Sequence, residues 1–285
     1  MSFKTGEKMI KKITLFVSCC AVATSLYAKA VDNDIIAFEK KRFENNKQIE
    51  LKKVELYFKQ ELAQKDWYAY ILDIDANYQG KPVKFKDIVF SNGLVVAPEL
   101  IDLKSGNSLK DGIVPTLDEK YYNKANLILG DATAKDKIVV FSDPLCPFCM
   151  DYIPDVINHV KKSGNVALYY YHFPLLRLHP ASKALTKLMD VAHEQGVKDI
   201  ILKTYQADWD KYFTEQENDE LKILNAFNQE FGLQLTLEQI QDKKIEEKIY
   251  KDISLGEDAM VQGTPTIFVN GKYDKTKTKF LETGK

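Results

Sequence analysis

Cysteine is scarce in this chain of 285 residues: there are four, and only Cys146 and Cys149 lie beyond position 20. One pair excludes a disulfide-stapled scaffold, which needs several pairs spread along a small chain. Histidine is equally sparse, at His159, His172, His179 and His193. No second ligand pair stands at finger spacing, which argues against structural zinc; no metal site is expected. Neither charge sign predominates, with 40 basic and 41 acidic residues. Lysines alternate with acids and no basic run carries interleaved aromatics, so nucleic acid is not an expected partner. Internal repeats and a Gly-rich phosphate loop are also missing.

Long apolar runs are absent too, except for "ITLFVSCCAVATSLYA" near the start. That run is too short to span a membrane, follows Lys4, Lys8, Lys11 and Lys12, and ends in small residues. This pattern predicts an export signal over residues 1–28, cleaved after Ala28 or Ala30, with Met9 as an alternative start. An uncleaved anchor and lipid attachment through Cys19 are the competing readings. Export leaves a mature chain whose two cysteines belong to one motif.

That motif lies in "FSDPLCPFCM", residues 141–150. Metal clamp, structural staple and redox centre are the three readings, and the spacing favours the third. Two residues between cysteines, at the start of a helix, expose the first sulfur at a helix N-terminus, where unpaired N–H groups stabilise a thiolate. Cys146 is therefore expected to attack. Ile153, Val156, Ile157 and Val160 recur at helical intervals on one apolar face, where His159 reads as packing or surface. Pro154 should kink this helix. Upstream, "DKIVVFSD" reads as a buried strand.

A second stretch, "VQGTPTIFVNGKY" at 261–273, reads as a turn, a strand and a bend at Asn270-Gly271. Together with Cys-Pro-Phe-Cys it resembles the thioredoxin-fold disulfide oxidoreductases. The resemblance implies that Pro265 is cis and faces the cysteines, and that Thr264 offers its backbone to a substrate peptide. Pro154 also resembles the kink proline of the family's active-site helix. Cys146 and Pro265 are 119 positions apart, so a helical insertion must separate them. It is expected at about 180–258: a helix carrying Leu185, Leu188, Met189 and Ala192 and stopped by Gly196, helices from 197 and up to Gly232, and one opened by a Thr236–Gln239 capping box. The "HFPLLRLHPASKAL" segment resembles DsbA-type proteins. His172 and His179 are tempting acid/base groups, though thiol exchange needs none. Tyr169, Tyr170 and Tyr171 read as a strand in a packed sheet.

More than a hundred residues precede this domain. Residues 31–115 read as a small α+β domain: a charged helical segment from 33 to about 64, in which "IELKKVELYF" alternates as a strand would, then strands in "DWYAYILDID", "KFKDIVFSNG" and "LVVAPELIDLKSGN". Residues 116–133 are expected to contain a linker helix, and 134–285 the catalytic domain. The expected fold is thus an α+β N-terminal dimerisation domain followed by an α/β thioredoxin fold with a helical insertion. This order resembles the DsbC and DsbG proteins, and Phe148 and Thr264 match their pattern more closely than DsbA's. What the resemblance implies is a periplasmic thiol:disulfide interchange protein, homodimeric through its N-terminal domain. It would isomerise or reduce disulfides of exported clients, fed by a DsbD-like membrane donor. Cys149 would resolve the mixed disulfide, Pro147 and Phe148 would tune the pair, and the Cys146–Cys149 disulfide would be the only redox group, with no cofactor. Two alternatives stand beside this: a DsbA-like oxidase with a DsbB-like partner, and a client-binding chaperone on the same scaffold.

Overall fold

The computed structural model describes residues 31–44 and 48–285. The expected signal over 1–28, with Cys19 and Cys20, lies outside the described residues. Two compact units meet in sequence at Ile113 and Val114.

In the first unit a helix over residues 31–44 (α1) precedes four strands: β1 (Ile49–Glu61), β2 (Tyr68–Tyr78), β3 (Lys81–Ser91) and β4 (Val96–Ala97). They form an antiparallel sheet in the order β1-β2-β3-β4. The β2–β3 hairpin turns on Gln79 (φ 51°) and Gly80 (φ 80°), the left-handed pair that a two-residue hairpin requires. Ile35 of α1 shares a core with Val54, Tyr70, Leu72, Ile74, Ala76 and Val89, so the helix lies on one face of the sheet. Of the helix expected to about 64, the described residues are helical over 31–44 and strand from Ile49. The alternation from Ile49 onward, paired residue by residue with β2, takes the rest as strand. The strand expected after Leu94 is also shorter, reduced to Val96–Ala97 and one bridge between Ile101 and Ser108. Asp102 accepts from the backbone N–H groups of Lys104 and Ser105 and so holds a turn there.

The second unit is built on a five-stranded sheet in the order β5-β7-β6-β8-β9: β5 (Leu127–Leu129), β6 (Asp136–Ser142), β7 (Val166–His172), β8 (Thr266–Val269) and β9 (Lys272–Tyr273). Strands β6 and β7 are parallel and joined by α2 (Pro147–Ser163); the other pairs are antiparallel. Both faces are covered, which is why β6 and β7 read as unbroken apolar runs. Ile138, Val140, Leu168 and Tyr170 point into one core, with Ile153, Val156, Ile157 and Val160 of α2. Val139, Phe141, Ala167, Tyr169 and Tyr171 point into the other.

Between β7 and β8 stand α3 (Ser182–Glu194), α4 (Ile200–Gln206), α5 (Glu220–Phe231), α6 (Leu237–Ile240) and α7 (Lys243–Asp258). Leu185, Leu188, Met189 and Ala192 are buried as expected, and Gly232 caps α5 in the left-handed region. The Thr236–Gln239 capping box is present, but its helix breaks after Ile240 and restarts where Asp242 accepts from the Lys244 N–H.

No linker helix forms at 116–130. Two single 3-10 turns, Glu119–Tyr121 and Lys124–Asn126, lead into β5. Tertiary pairing wins over local preference there: Leu127 and Leu129 bond to β7, and the Asn126 amide reaches the Tyr170 carbonyl at 2.9 Å. Gly130 follows at φ 80°, where a Cβ would overlap the Val166 carbonyl oxygen. After β9 the described chain makes a single 3-10 turn, Lys279–Glu282, whose Phe280 packs on Tyr152 of α2.

Candidate active site

Strand β6 ends at Ser142, and four residues later Cys146 forms the N-cap of α2, with Pro147 in the first turn. Proline suits that position, because its missing N–H is one the helix could not pair. Two backbone bonds shape the turn: Cys146 N–H donates to the Asp143 carbonyl at 3.2 Å and Cys149 N–H to the Cys146 carbonyl at 2.9 Å. Both thiols are free. Cys146 is 4% exposed and Cys149 fully buried, while Phe148 between them is 74% exposed.

From the far end of the chain, Thr264 and Pro265 approach the same sulfur. Their peptide bond is cis, as the resemblance implied. The Cys146 S–H donates to the Thr264 carbonyl at 3.4 Å. The turn is fastened by Thr266, whose hydroxyl donates to the Gly263 carbonyl at 2.7 Å. Residues separated by more than a hundred positions thus meet because β8 pairs with β6, Phe141 opposite Thr266.

The two thiols differ sharply in acidity. The Cys149 S–H donated to its sulfur, chiefly, pulls Cys146 down to about 5; the Thr264 hydroxyl and the N–H groups of Cys149 and Phe148 add to this, against the opposing effect of burial. The Thr264 hydroxyl is buried without a partner in the protonated site, so a thiolate is the group it can serve. Burial pushes Cys149 far in the other direction, and its bond to Cys146 adds to that. Such a pair ionises first at Cys146 and keeps Cys149 protonated.

Sequence reasoning missed Asp143, which is fully buried. One carboxylate oxygen accepts from Leu145 N–H at 2.8 Å and Ser182 hydroxyl at 2.5 Å, the other from Leu175 N–H at 2.7 Å and His179 Nδ1 at 2.9 Å. It ties the cysteine loop to α3 and the segment before it. The signal was a carboxylate at the end of an apolar strand, which has to find partners to be buried. His179 is occupied by this tie. His172 is buried, its N–H donating to Asp252 at 3.1 Å and its ring 3.7 Å from Asp190. Half-buried His159 packs its ring on Phe280. None of these histidines lies among the groups that shift Cys146. Among the described residues no group of three or more His, Cys, Asp or Glu could hold a metal ion.

A thioredoxin family model matches residues 122–282, more than half of the chain. The chain belongs to the thioredoxin family. Among curated proteins this thioredoxin-family chain is 26% identical over 193 residues to a probable disulfide bond formation protein D of Bacillus anthracis, covering 65% of this chain and 86% of that one. It is also 27% identical over 153 residues to the Na(+)/H(+) antiporter NhaA 3 of Salinispora tropica, of whose length it spans 22%. Among solved structures, oxidised BdbD from Bacillus subtilis is 20% identical with a TM-score of 0.46, over 59% of this chain and 92% of that one.

Proposed function

We propose that the protein is a thiol:disulfide oxidoreductase acting on exported proteins in the periplasm, with Cys146 attacking and Cys149 resolving. One observation carries this reading: a thiol with a pKa of about 5 caps a helix beside a buried protonated thiol and opposite Thr264-Pro265. At pH 7 a thiol of that pKa is about a hundredfold more thiolate than thiol. The Cys146 thiolate attacks a client disulfide, or its sulfur is attacked by a client thiolate when the pair is oxidised; either gives a mixed disulfide. Thr264 offers its backbone beside the sulfur for an extended client segment, which suits clients of varied sequence. Pro147 and Phe148 set the geometry of the loop, and the Cys146–Cys149 disulfide is the only redox group required.

A strongly stabilised thiolate favours the dithiol form, so the oxidised protein gives its disulfide away readily. The direction favoured is therefore oxidation of clients, with reoxidation by a DsbB-like membrane partner; the name of the Bacillus anthracis relative agrees. Isomerisation or reduction, fed by a DsbD-like donor and performed by a homodimer, is the second reading. It is supported by the apolar side chains that the N-terminal unit exposes at Leu94, Val95, Ile101 and Leu103. RNase refolding from fully reduced and from scrambled substrate separates the two. Activity only on reduced RNase, from oxidised enzyme, means an oxidase; recovery from scrambled RNase means an isomerase. Recovery from neither overturns the function itself.

A further inference from the structure

The strand β9 and the loop after it gather charge of one sign. Lys272, Lys275, Lys277 and Lys279 fall within "KYDKTKTK", in a chain whose 40 basic and 41 acidic residues balance overall. Lys272, Lys275 and Lys279 are exposed, and Lys277 is half-buried. None of the four makes an ion pair with a described carboxylate, whereas many lysines elsewhere, Lys161, Lys222 and Lys248 among them, do. Asp274 does not neutralise the strip from outside: it is fully buried and accepts from the N–H groups of Thr276, Lys277 and Lys279 and from the Thr276 hydroxyl. The exposed acids Glu282 and Asp155 flank the strip and reduce its charge without cancelling it.

The loop is held against the helix that carries the cysteines. Asp274 N–H donates to the Ile267 carbonyl at 2.9 Å, the Tyr152 hydroxyl of α2 donates to the Lys277 carbonyl at 2.7 Å, and the Phe280 and Tyr152 rings meet at 5.5 Å. Lys277 takes φ 57°, which glycine or asparagine adopts at lower cost, so a lysine stands where the backbone favours another residue. Tyr152 follows Cys146 by six positions on the same helix, about 9 Å along its axis. The lysine strip is thus a neighbour of the redox pair.

The chemistry of the strip selects its partner. A single carboxylate or phosphate is gripped by arginine forks or free backbone N–H groups. Residues 272–285 contain no arginine, and the N–H groups of Thr276, Lys277 and Lys279 are taken by Asp274. A layer of anionic headgroups asks only for closely spaced point charges. Leu281, 53% exposed in the turn that holds Lys279, adds an apolar side chain able to enter the headgroup boundary. We propose that Lys272, Lys275, Lys277 and Lys279, with Leu281, dock the protein on an anionic phospholipid surface. The inference goes beyond the exchange function and does not depend on its direction. Docking there keeps Cys146 close to the membrane that would hold a redox partner of the kind proposed above. Each lysine near such a surface is worth about fivefold in affinity, the equivalent of about 1 kcal/mol, and salt screens the gain.

The test sediments the full chain with vesicles of phosphatidylglycerol and phosphatidylcholine, and with vesicles of phosphatidylcholine alone. A variant with Lys275→Gln, Lys277→Gln and Lys279→Gln is compared with one carrying Lys243→Gln, Lys244→Gln and Lys251→Gln, which removes the same charge from exposed positions of α7. The parent should bind the anionic vesicles in low salt and release them in high salt. The loop variant should bind about a hundredfold more weakly, and the α7 variant within about threefold of the parent. Acetylation of vesicle-bound parent, read by mass, locates the contact whatever other segment touches lipid, and it decides the matter if the loop variant does not fold. Lys272, Lys275, Lys277 and Lys279 should be shielded while Lys243, Lys244 and Lys251 stay reactive. Both variants should exchange with neutral hydroxyethyl disulfide in solution at the parent's rate. Equal weakening of the two folded variants, or loop lysines acetylated as fast on vesicles as in solution, overturns the docking site. So does a parent captured no better by anionic than by neutral vesicles; shielding of the same lysines by polyglutamate alone would assign the strip to an acidic polypeptide instead. A parent that binds through the loop but never exchanges disulfides overturns the function proposed above and leaves the docking site standing.

Discussion

The backbone carbonyl of Thr264 lies 3.4 Å from the Cys146 sulfur, across 118 positions of sequence. Nothing local brings them together. Strand β8 pairs with β6, and the turn before β8 is thereby laid against the loop after β6. The long helical insertion lengthens the chain between the two halves of the site without parting them.

The acidity of Cys146 is the first property to measure. With its thiol held at about 5, iodoacetamide alkylation should rise through a midpoint near pH 5 and be flat from pH 7 upward. Thr264→Val keeps the carbonyl and removes the buried hydroxyl. It should raise the midpoint by about one unit, the size expected for one hydrogen bond to a thiolate. A parent midpoint near the ordinary value for a thiol would remove the basis for early ionisation.

The same ionisation couples redox state to stability. A thiol of ordinary acidity in the unfolded chain and about 5 when folded stabilises the dithiol protein fully above pH 9, and that stabilisation fades as pH falls to 5. The oxidised protein has no such thiol. Urea unfolding of the two forms should therefore show the dithiol form gaining on the disulfide form between pH 5 and pH 7 by about 2 kcal/mol. Equal pH slopes for the two forms across that window would contradict a depressed pKa. Cys149 does not disturb the comparison, because burial moves its ionisation above this range.

Asp143 supplies a test of architecture. Its carboxylate accepts four bonds in full burial, so Asp143→Ala strands two backbone N–H groups, the Ser182 hydroxyl and the His179 ring. At about 1 kcal/mol or more for each stranded donor, the loss should reach about 4 kcal/mol in urea unfolding, and Asp143→Asn should cost less. A loss below about 1 kcal/mol would mean that the loop is held elsewhere.

The catalytic unit is legible in the sequence where periodicity and chemistry coincide. Ile153, Val156, Ile157 and Val160 mark the buried face of α2. Asn270 and Gly271 mark the β8–β9 turn, adopting φ values of 50° and 77°. The cis Thr264-Pro265 bond came from resemblance and not from any local pattern. The segment from 116 to 130 misleads, because its fate depends on an edge of the sheet that the local sequence does not contain. Similarly, nothing near Tyr205 announces a partner 63 positions away at Ser142. In the N-terminal unit the alternation from Ile49 was visible, yet the helix boundary needed the pairing with β2 to place it.

Glu39 makes the N-terminal unit sensitive to pH. It is fully buried in the described structure, and burial pushes its carboxyl up to about 7, with Arg42 pulling it down and Asp87 pushing it further up. Between pH 4.5 and 7 the folded unit holds a proton that the unfolded chain has released, so stability falls as pH rises through that window. Glu39→Gln has no charge to bury, and Arg42 retains its pairing with Asp87. The variant should gain about 2 kcal/mol at pH 8 and almost nothing at pH 4.5, read from hydrogen exchange of the β1–β3 amides in the full chain. Faster exchange in the variant at pH 8 would mean that the 3.0 Å ion pair between Glu39 and Arg42 outweighs the cost of burial, reversing the sign.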